Sequence, residues 1–206
     1  FTDIQVLTPM QRGECGAVHL NQVLQEAMNP SRIFLRRGGT QYRLKDKVMQ
    51  IRNDYDKEVF NGDIGTITKV DMEERELTVL FDNREVVYDV TELEELSLAY
   101  AVTIHKAQGS EYPIVVMPFT MSHFVMLQRN LLYTGVTRAK KILVLVGEKK
   151  AVYYAIKNEI TAGRNTCLAR RLQENSRESK EAQFADKTSK EKMIVYKGGI
   201  QPSMIC

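Results

Sequence analysis

The chain has 206 residues, of which 43% are hydrophobic and 27% are charged, and its formal net charge is +3. This length and composition indicate one or two compact globular domains with a core of their own. They exclude a membrane-spanning protein, because no apolar run is long enough to cross a bilayer, and the first residues do not resemble a signal peptide. The charge alone does not identify a nucleic-acid-binding protein.

The three cysteines, Cys15, Cys167 and Cys206, are scattered along the chain, and no CxxC pair occurs. An odd number of cysteines without paired spacing supports neither a zinc site nor a disulfide framework. We therefore predict no metal site in this chain and a reducing, cytoplasmic location. The sequence begins with Phe1 inside a predicted strand, which we interpret as the sign of a fragment.

The first part of the chain predicts a strand, a helix and a loop. The apolar segment IQVLTP stops at Pro9, as expected for a short strand. The basic residues 31–45 predict an exposed loop rather than a DNA contact. Between these two segments, apolar residues recur near helical spacing until Asn29-Pro30 ends the helix: Val18, Leu20, Val23, Leu24, Ala27 and Met28.

The next part, from about residue 46 to residue 96, predicts a small β-barrel. The segments VMQI, IGTITKV, LTVLF and VVYDV are short β-type runs separated by turn residues such as Asn61-Gly62 and Asp82-Asn83. Four or five short strands with tight turns are typical of an SH3-like barrel. The string KVDMEE resembles an acidic strand end that could hold magnesium, but inside the barrel it is better interpreted as a charged hairpin turn.

From Leu98 onward, strands alternate with helices, which indicates a parallel α/β sheet. The segments AYAVTI and IVVMPF predict buried strands, because they are apolar without alternation. A helix, the strand KILVLVG and a second helix follow. We therefore predict one discontinuous α/β domain, residues 1–39 and 98–173, interrupted by a barrel at residues 40–97.

The end of the chain, residues 174–206, is rich in Ser, Lys, Glu and Gln. Such a composition predicts a flexible tail, because it contains too few apolar residues to form a core. The segment MIVYKG within it could add a short strand.

Two blocks near the end of the α/β part concentrate the chemistry. The first, TIHKAQGSEY, follows a predicted strand at the end where open α/β sheets bind ligands. It combines a hydroxyl, an imidazole, an amine, an amide, a glycine and a carboxylate within a short stretch. The second, YTGVTRAKK, predicts a helix end from which Arg138 projects. The sequence contains no GxxxxGK[ST] phosphate-binding loop.

The two blocks resemble motifs V and VI of superfamily-one helicases, and their amino-acid sequences are most similar to those of the RecD-like and conjugative-relaxase branch. VLTPMQRGECGAVHLNQVLQEAMNP resembles the motif IV region of that branch, and DKVMQIRNDYDKEVFNGDIGTI resembles its SH3-like insertion. The resemblance covers residues 2–172, with its four features in the order of the family. It implies a RecA-like parallel-sheet domain without the P-loop, an inserted SH3-like barrel, and half of an ATP-driven motor that moves 5′ to 3′ on DNA.

The resemblance also implies roles for individual residues. Arg138 matches an arginine finger, and a planar, permanently charged guanidinium suits the charge of a transferring phosphoryl group. Gly109 and Glu111 match positions that meet the γ-phosphate and the ribose. Thr103 and His105 match positions that touch single-stranded DNA and link it to the nucleotide. The remaining assignments are Arg12, as the motif IV arginine at the γ-phosphate, and Thr134, as a further DNA contact.

The resemblance finally implies cofactors and partners. ATP and Mg²⁺ would be bound in the full enzyme mainly by an N-terminal RecA-like domain that this sequence lacks, so the chain alone is expected to bind no cofactor and to be inactive. Single-stranded DNA and that N-terminal domain are the implied partners, and other subunits of a helicase–nuclease complex are a further option. Two alternatives remain open: a stand-alone module that binds single-stranded nucleic acid without ATPase activity, and the helicase half of a relaxase.

Overall fold

The structure is a computed structural model that describes residues 3–159, so the predicted tail and the segment MIVYKG lie outside the described residues. No helix in this described part is long and apolar enough to cross a membrane. In chain order, the elements are β1 (Ile4–Thr8), α1 (Ala17–Met28), β2 (Phe34–Arg37), β3 (Thr40–Arg43), β4 (Lys47–Gln50), β5 (Ile64–Asp71), β6 (Glu76–Phe81), β7 (Arg84–Asp89), β8 (Leu96–Leu98), β9 (Ala101–Thr103), β10 (Tyr112–Phe119), α2 (Arg129–Val136), β11 (Ala139–Gly147) and α3 (Lys149–Lys157), with short 3-10 helices at Glu92–Glu95 and Met121–Met126.

Four parallel strands form the first sheet, in the order β11-β10-β1-β9. The middle strand β1 comes from the start of the chain, and its residue Val6 pairs with Ala101 on one side and Val116 on the other. Helices α2 and α3 bury apolar side chains together with Met117 and Phe119 of β10. The parallel sheet with packed helices confirms the predicted α/β class.

The second sheet is antiparallel, with the order β7-β6-β5-β4-β8, and it has a core of its own. Ile67, Val79 and Tyr88 are fully buried inside it. Strand β4 pairs with both β5 and β8, and Val48 lies opposite Leu98, so the first and last strands of this sheet are neighbours. The sheet lies in the chain between β1 and β9, as the predicted inserted barrel requires.

The sequence predicted a loop at residues 31–45, and this prediction is wrong. These residues contain the antiparallel hairpin β2–β3. The hairpin turns at Gly38-Gly39, and Leu35 and Tyr42 are buried together with the side chains of the second sheet. Exposed arginines between the apolar residues concealed the strands in the sequence. The predicted domain boundary between residues 39 and 40 falls inside this hairpin, and we propose that the insertion begins before Phe34.

The most buried face of helix α1 carries a row of polar side chains, and of the predicted apolar residues Leu24 and Met28 are only partly buried against the core of the second sheet. Asn21 and Gln25 are 7% and 5% exposed, whereas Val18 and Val23 are each 48% exposed. The physical reason is that this face of the helix meets peptide groups and a buried carboxylate, which bind amide side chains and not methyl groups.

Among residues 3–159, strand β11 is the last strand on one side of the parallel sheet, and much of it is accessible to solvent. Its residues Ile142, Val144 and Val146 pair with the alternate residues of β10 and are 51%, 41% and 53% exposed. The sheet therefore presents an apolar surface at this edge.

Candidate nucleotide and DNA interface

The segment between β9 and β10 carries the first motif block from one end of the parallel strands to the other. Thr103 is level with Thr8 at the carboxyl end of β1, whereas Ile114 is level with Ile4 at its amino end. The sequence placed the whole block at the carboxyl end of the strands, and only its first residues lie there. The two predicted roles of the block, DNA contact and nucleotide contact, therefore belong to different places on the sheet.

The turn after Thr103 starts as a single helical turn. The amide of Ala107 donates to the carbonyl of Thr103 over 3.1 Å, and the amide of Lys106 donates to its hydroxyl over 3.3 Å. His105 is exposed just beyond Thr103. The same turn therefore ties the orientation of His105 to the last residue of β9.

Gly109 has a backbone conformation that favours glycine. Its φ is +91°, and a Cβ atom built on it would have no heavy atom within 4 Å. The left-handed backbone conformation explains why a glycine occupies this position, whereas close packing does not explain it. The space beside Gly109 that a side chain would occupy is open, so a ligand could approach the backbone closely there.

Arg138 lies between α2 and β11 and is held by oxygen atoms of both motif blocks. Its Nη1 donates to the carbonyl of Ser110 over 3.1 Å, and its Nη2 donates to the hydroxyl of Thr137 over 3.2 Å. Its Nε donates to the carbonyl of Thr134, in the last turn of α2, over 3.2 Å. The side chain therefore both caps the helix and joins it to the segment before β10.

No carboxylate forms an ion pair with Arg138 among residues 3–159. Nearby, Glu111 pairs with Lys140 over 3.4 Å, and both side chains are more than half exposed. Carbonyl and hydroxyl groups orient the guanidinium without neutralising its charge. An oriented and uncompensated guanidinium at a surface suits an anionic ligand.

His105 and Thr134 line one small cleft of about 170 Å³ together with Gln108, Gln128 and Asn130. The hydroxyl of Thr134 donates to the carbonyl of Asn130 within α2, so its lone pairs remain available to a ligand. The structure thus brings two of the three predicted DNA contacts to one place. The cleft is lined mainly by neutral hydrogen-bonding groups.

Arg12 is not brought to the predicted nucleotide site. It lies in the turn after β1, where the amide of Ala17 donates to the carbonyl of Met10. Arg138 precedes β11 at the amino end of the strands, because Ala139 pairs with Tyr112. Strand β1 alone spans about 13 Å, so Arg12 and Arg138 lie at opposite ends of the sheet. The grouping of Arg12 with Arg138 is not found in the structure.

Comparison with known proteins agrees with this architecture. Residues 20–81 match the family model described as the ATP-dependent RecD-like DNA helicase SH3 domain, and residues 98–146 match the UvrD-like helicase C-terminal domain. The chain is 41% identical over 169 residues to the ATP-dependent RecD2 DNA helicase of Deinococcus radiodurans. The aligned region covers 82% of this chain and 23% of that protein.

The chain belongs to the RecD-like DNA helicase family. It is also 31% identical over 160 residues to the RecBCD enzyme subunit RecD of Haemophilus influenzae, covering 78% of this chain and 24% of that subunit. The chain thus spans about a quarter of the length of these curated RecD-like relatives.

Solved structures of Pif1 helicases share the fold of this RecD-like chain. The Pif1 helicase from Bacteroides, in complex with ADP-AlF3 and ssDNA, matches with a TM-score of 0.54 at 16% identity, covering 75% of this chain and 42% of that one. Two coordinating Pif1 helicases described at forked dsDNA match with a TM-score of 0.50 at 18% identity, covering 70% and 39%. At these identities the likeness concerns the fold alone.

The structure of this RecD-like chain also explains Gly135, which the sequence analysis passed over. A Cβ atom there would lie 2.7 Å from Sδ of Met117 and 3.3 Å from Cδ1 of Ile104. The glycine lets α2 lie close against β10 and thereby places Arg138 beside Ser110. A glycine inside a helical motif was the signal available in the sequence.

Replacing Gly135 with valine is expected to lower the free energy of unfolding by about 2 to 3 kcal/mol, because the buried contact with Met117 leaves no room for the new side chain. The matched control is Tyr133→Val on the same helix, where the side chain is 69% exposed and the change should cost less than about 0.5 kcal/mol. Urea unfolding of both variants measures the difference. Equal stability would show that α2 does not depend on this close contact.

Proposed function

We propose that this RecD-like chain is the second motor domain of an ATP-dependent helicase that moves 5′ to 3′ along single-stranded DNA. The observation that carries the proposal is Arg138, which is oriented by Ser110 and Thr137 and has no carboxylate partner within residues 3–159. In a motor of two RecA-like domains, such an arginine would reach across the cleft to ATP bound mainly by the N-terminal domain, which lies outside this chain.

The nucleotide side of the proposal combines Arg138 with Gly109 and Glu111. The open space beside the backbone of Gly109 suits the close approach of a phosphate, and the carboxylate of Glu111, whose side chain is 55% exposed, suits a ribose hydroxyl. In the described part of the chain, no group of three or more His, Cys, Asp or Glu side chains is placed to hold a metal. By the family resemblance, we assign Mg²⁺, like most of the ATP contacts, to the N-terminal domain. Arg12 is left out of this site because of its position at the other end of the sheet.

The DNA side of the proposal combines Thr103, His105 and Thr134. The cleft shared by His105 and Thr134 offers hydrogen-bonding groups that suit a nucleic-acid backbone. The segment between β9 and β10 reaches from this cleft to Gly109 and Glu111. A displacement of the segment on ATP binding or hydrolysis would therefore move DNA contacts and nucleotide contacts together, which is what a translocating motor requires.

The wider setting is proposed by analogy with the relatives. The Haemophilus influenzae relative is named as a subunit of the RecBCD enzyme, so other subunits of a helicase–nuclease complex are candidate partners of the full protein. We place that protein in the cytoplasm, where its DNA substrate would be.

The direction of movement is tested with the full-length protein and two partial duplexes that differ only in carrying a 5′ or a 3′ single-stranded tail. We expect ATP-dependent strand separation of the 5′-tailed duplex and little of the 3′-tailed one. A preference for the 3′ tail would refute the proposed direction. Binding of single strands without any DNA-stimulated ATP hydrolysis would instead support a stand-alone binding module.

A further inference from the structure

The buried row of amides on α1 is one half of a polar junction with the insertion. Asn21, Gln25 and Asn29 follow one another at a spacing of four residues and are all at least nine-tenths buried. Such a spacing places them on one face of the helix. Polar side chains are rarely buried in this number unless each has a partner.

The other half of the junction is Asp46, which lies immediately before β4 and is fully buried. Its Oδ2 accepts hydrogen bonds from Gln25 Nε2 over 2.5 Å and from the amide of Arg43 over 2.7 Å. Its Oδ1 accepts from Asn29 Nδ2 over 2.6 Å and from the hydroxyl of Tyr100 over 2.8 Å. One carboxylate therefore joins α1, the hairpin β2–β3 and the segment before β9.

Further bonds run in parallel with those of Asp46. The guanidinium of Arg43 donates to the carbonyl of Asn29 over 2.9 Å and pairs with Glu26. Gln25 Nε2 also donates to the carbonyl of Gln41 over 2.9 Å. Helix α1 is thus attached to β3 at several points, and each attachment has a fixed direction.

The same helix also holds the edge of the parallel sheet. Asn21 Nδ2 donates to the carbonyl of Ala101 over 2.7 Å, and the amide of Ala101 donates to Asn21 Oδ1 over 2.9 Å. This pair satisfies both peptide groups of Ala101 on the side of β9 that faces away from β1, and β9 is the last strand of this sheet in the described part of the chain. Strand β9 ends at Thr103, and His105 follows two residues later.

We propose that Asp46 and the amide row of α1 form a rigid joint that makes the inserted barrel and the strand β9 move as one body. Apolar surfaces can slide past each other at low cost, whereas buried hydrogen bonds fix one register, because every alternative leaves a polar group unpaired. The joint gives the barrel a direct mechanical link to the proposed DNA contacts. The inference rests on the proposed function, since it concerns how force on the barrel reaches them. Asp46 is a positioning residue and does not itself contact DNA or ATP.

The informative substitution is Asp46→Asn, which keeps the size of the side chain. It replaces one acceptor oxygen with an amino group that must face two donors, whichever way the amide is turned. Burial raises the pKa of Asp46, while its hydrogen bonds act in the opposite direction. The matched control is Asp56→Asn, because Asp56 is an exposed aspartate of the same insertion. Tyr100→Phe removes a single donor and provides a milder variant that tests the same joint.

The first measurement compares DNA unwound with ATP hydrolysed in the full-length protein. For Asp46→Asn we expect the number of base pairs opened per ATP to fall about fivefold or more, with kcat and KM for ATP hydrolysis close to the wild-type values. Tyr100→Phe should show a smaller loss in the same direction, and Asp56→Asn should show none. Unwinding per ATP that stays unchanged in both joint variants would overturn the proposal. A proportional fall of hydrolysis and unwinding would also overturn it, because that pattern indicates only a loss of folded protein.

The second measurement is amide hydrogen exchange, which needs no activity. If the joint is one unit, Asp46→Asn should accelerate exchange of the Ala101 amide, which Asp46 does not touch, while the amides paired between β5 and β6 stay protected. Protection of Ala101 at the wild-type level would contradict the joint even if the full protein failed to unwind DNA. A full-length wild-type protein without ATP-dependent unwinding would refute the proposed function instead.

Discussion

Replacing Arg138 with alanine in the full-length protein is expected to lower the turnover of ATP by about a thousandfold or more, because removing an arginine finger typically costs that much. The effect should fall on hydrolysis more than on ATP binding, since an arginine that reaches across a cleft meets more negative charge in the transition state than in bound ATP. Binding of single-stranded DNA should be close to that of the wild type. Steady-state ATPase assays with saturating DNA measure the loss.

A comparison of Arg138→Lys with Arg138→Ala separates the finger from a helix cap. Lysine keeps the positive charge, but an ammonium cannot make the two parallel contacts of a guanidinium, so its turnover should be almost as low. Arg138 also donates to the carbonyl of Thr134 at the end of α2, and a purely capping role would cost about 1 kcal/mol of stability. Near-normal turnover in a stably folded Arg138→Ala protein would remove the finger assignment. Melting temperatures of both variants supply the control for folding.

The 206-residue chain by itself is expected to hydrolyse no ATP at a detectable rate, with or without DNA. Its sequence contains no GxxxxGK[ST] loop to hold the phosphates, so turnover should lie at least about a thousandfold below that of the full-length protein. The comparison requires both proteins at equal concentration with saturating single-stranded DNA.

The matched control for that assay is the same chain with Arg138→Ala, which should give an identical background. Turnover that is stimulated by DNA and disappears in the Arg138→Ala chain would show that this chain completes an ATPase site without the N-terminal domain. It would therefore refute the division of labour proposed here.

The sequence predicted most strands of this protein, but it predicted neither the hairpin β2–β3 nor the polar face that helix α1 buries. The periodicity of apolar residues and the presence of turn residues are local properties of a sequence. Short segments were therefore enough to recognise β1, the hairpin around Asp82-Asn83 and the strands on either side of the first motif block. The position of Arg138 at the end of a helix was also recognisable locally, because a helical pattern ends and a strand pattern begins at this residue. The RecD-like family then supplied the order of these pieces.

The features that the sequence concealed depend on partners far along the chain. Asn21 and Gln25 are buried because Ala101 and Asp46 offer hydrogen bonds there, and no local pattern distinguishes such amides from exposed ones. The distance between Arg12 and Arg138 likewise follows from the strand order, which places the turn after β1 and the start of β11 at opposite ends of the sheet. Similarity of motifs assigned both arginines to one phosphate, and only the topology separates them.

The pairing of Val48 with Leu98 has a consequence for the order in which the chain becomes structured. Strand β1 must find β9 across the whole insertion, and the entropy lost in closing a loop grows with the number of flexible residues in it. The hairpins β5–β6 and β6–β7 form from local contacts, and once β8 has paired with β4 the two ends of the insertion lie side by side. The folded insertion then separates the end of β1 from the start of β9 by only a short distance. Pairing β1 with β9 therefore costs about as much entropy as closing a much shorter loop.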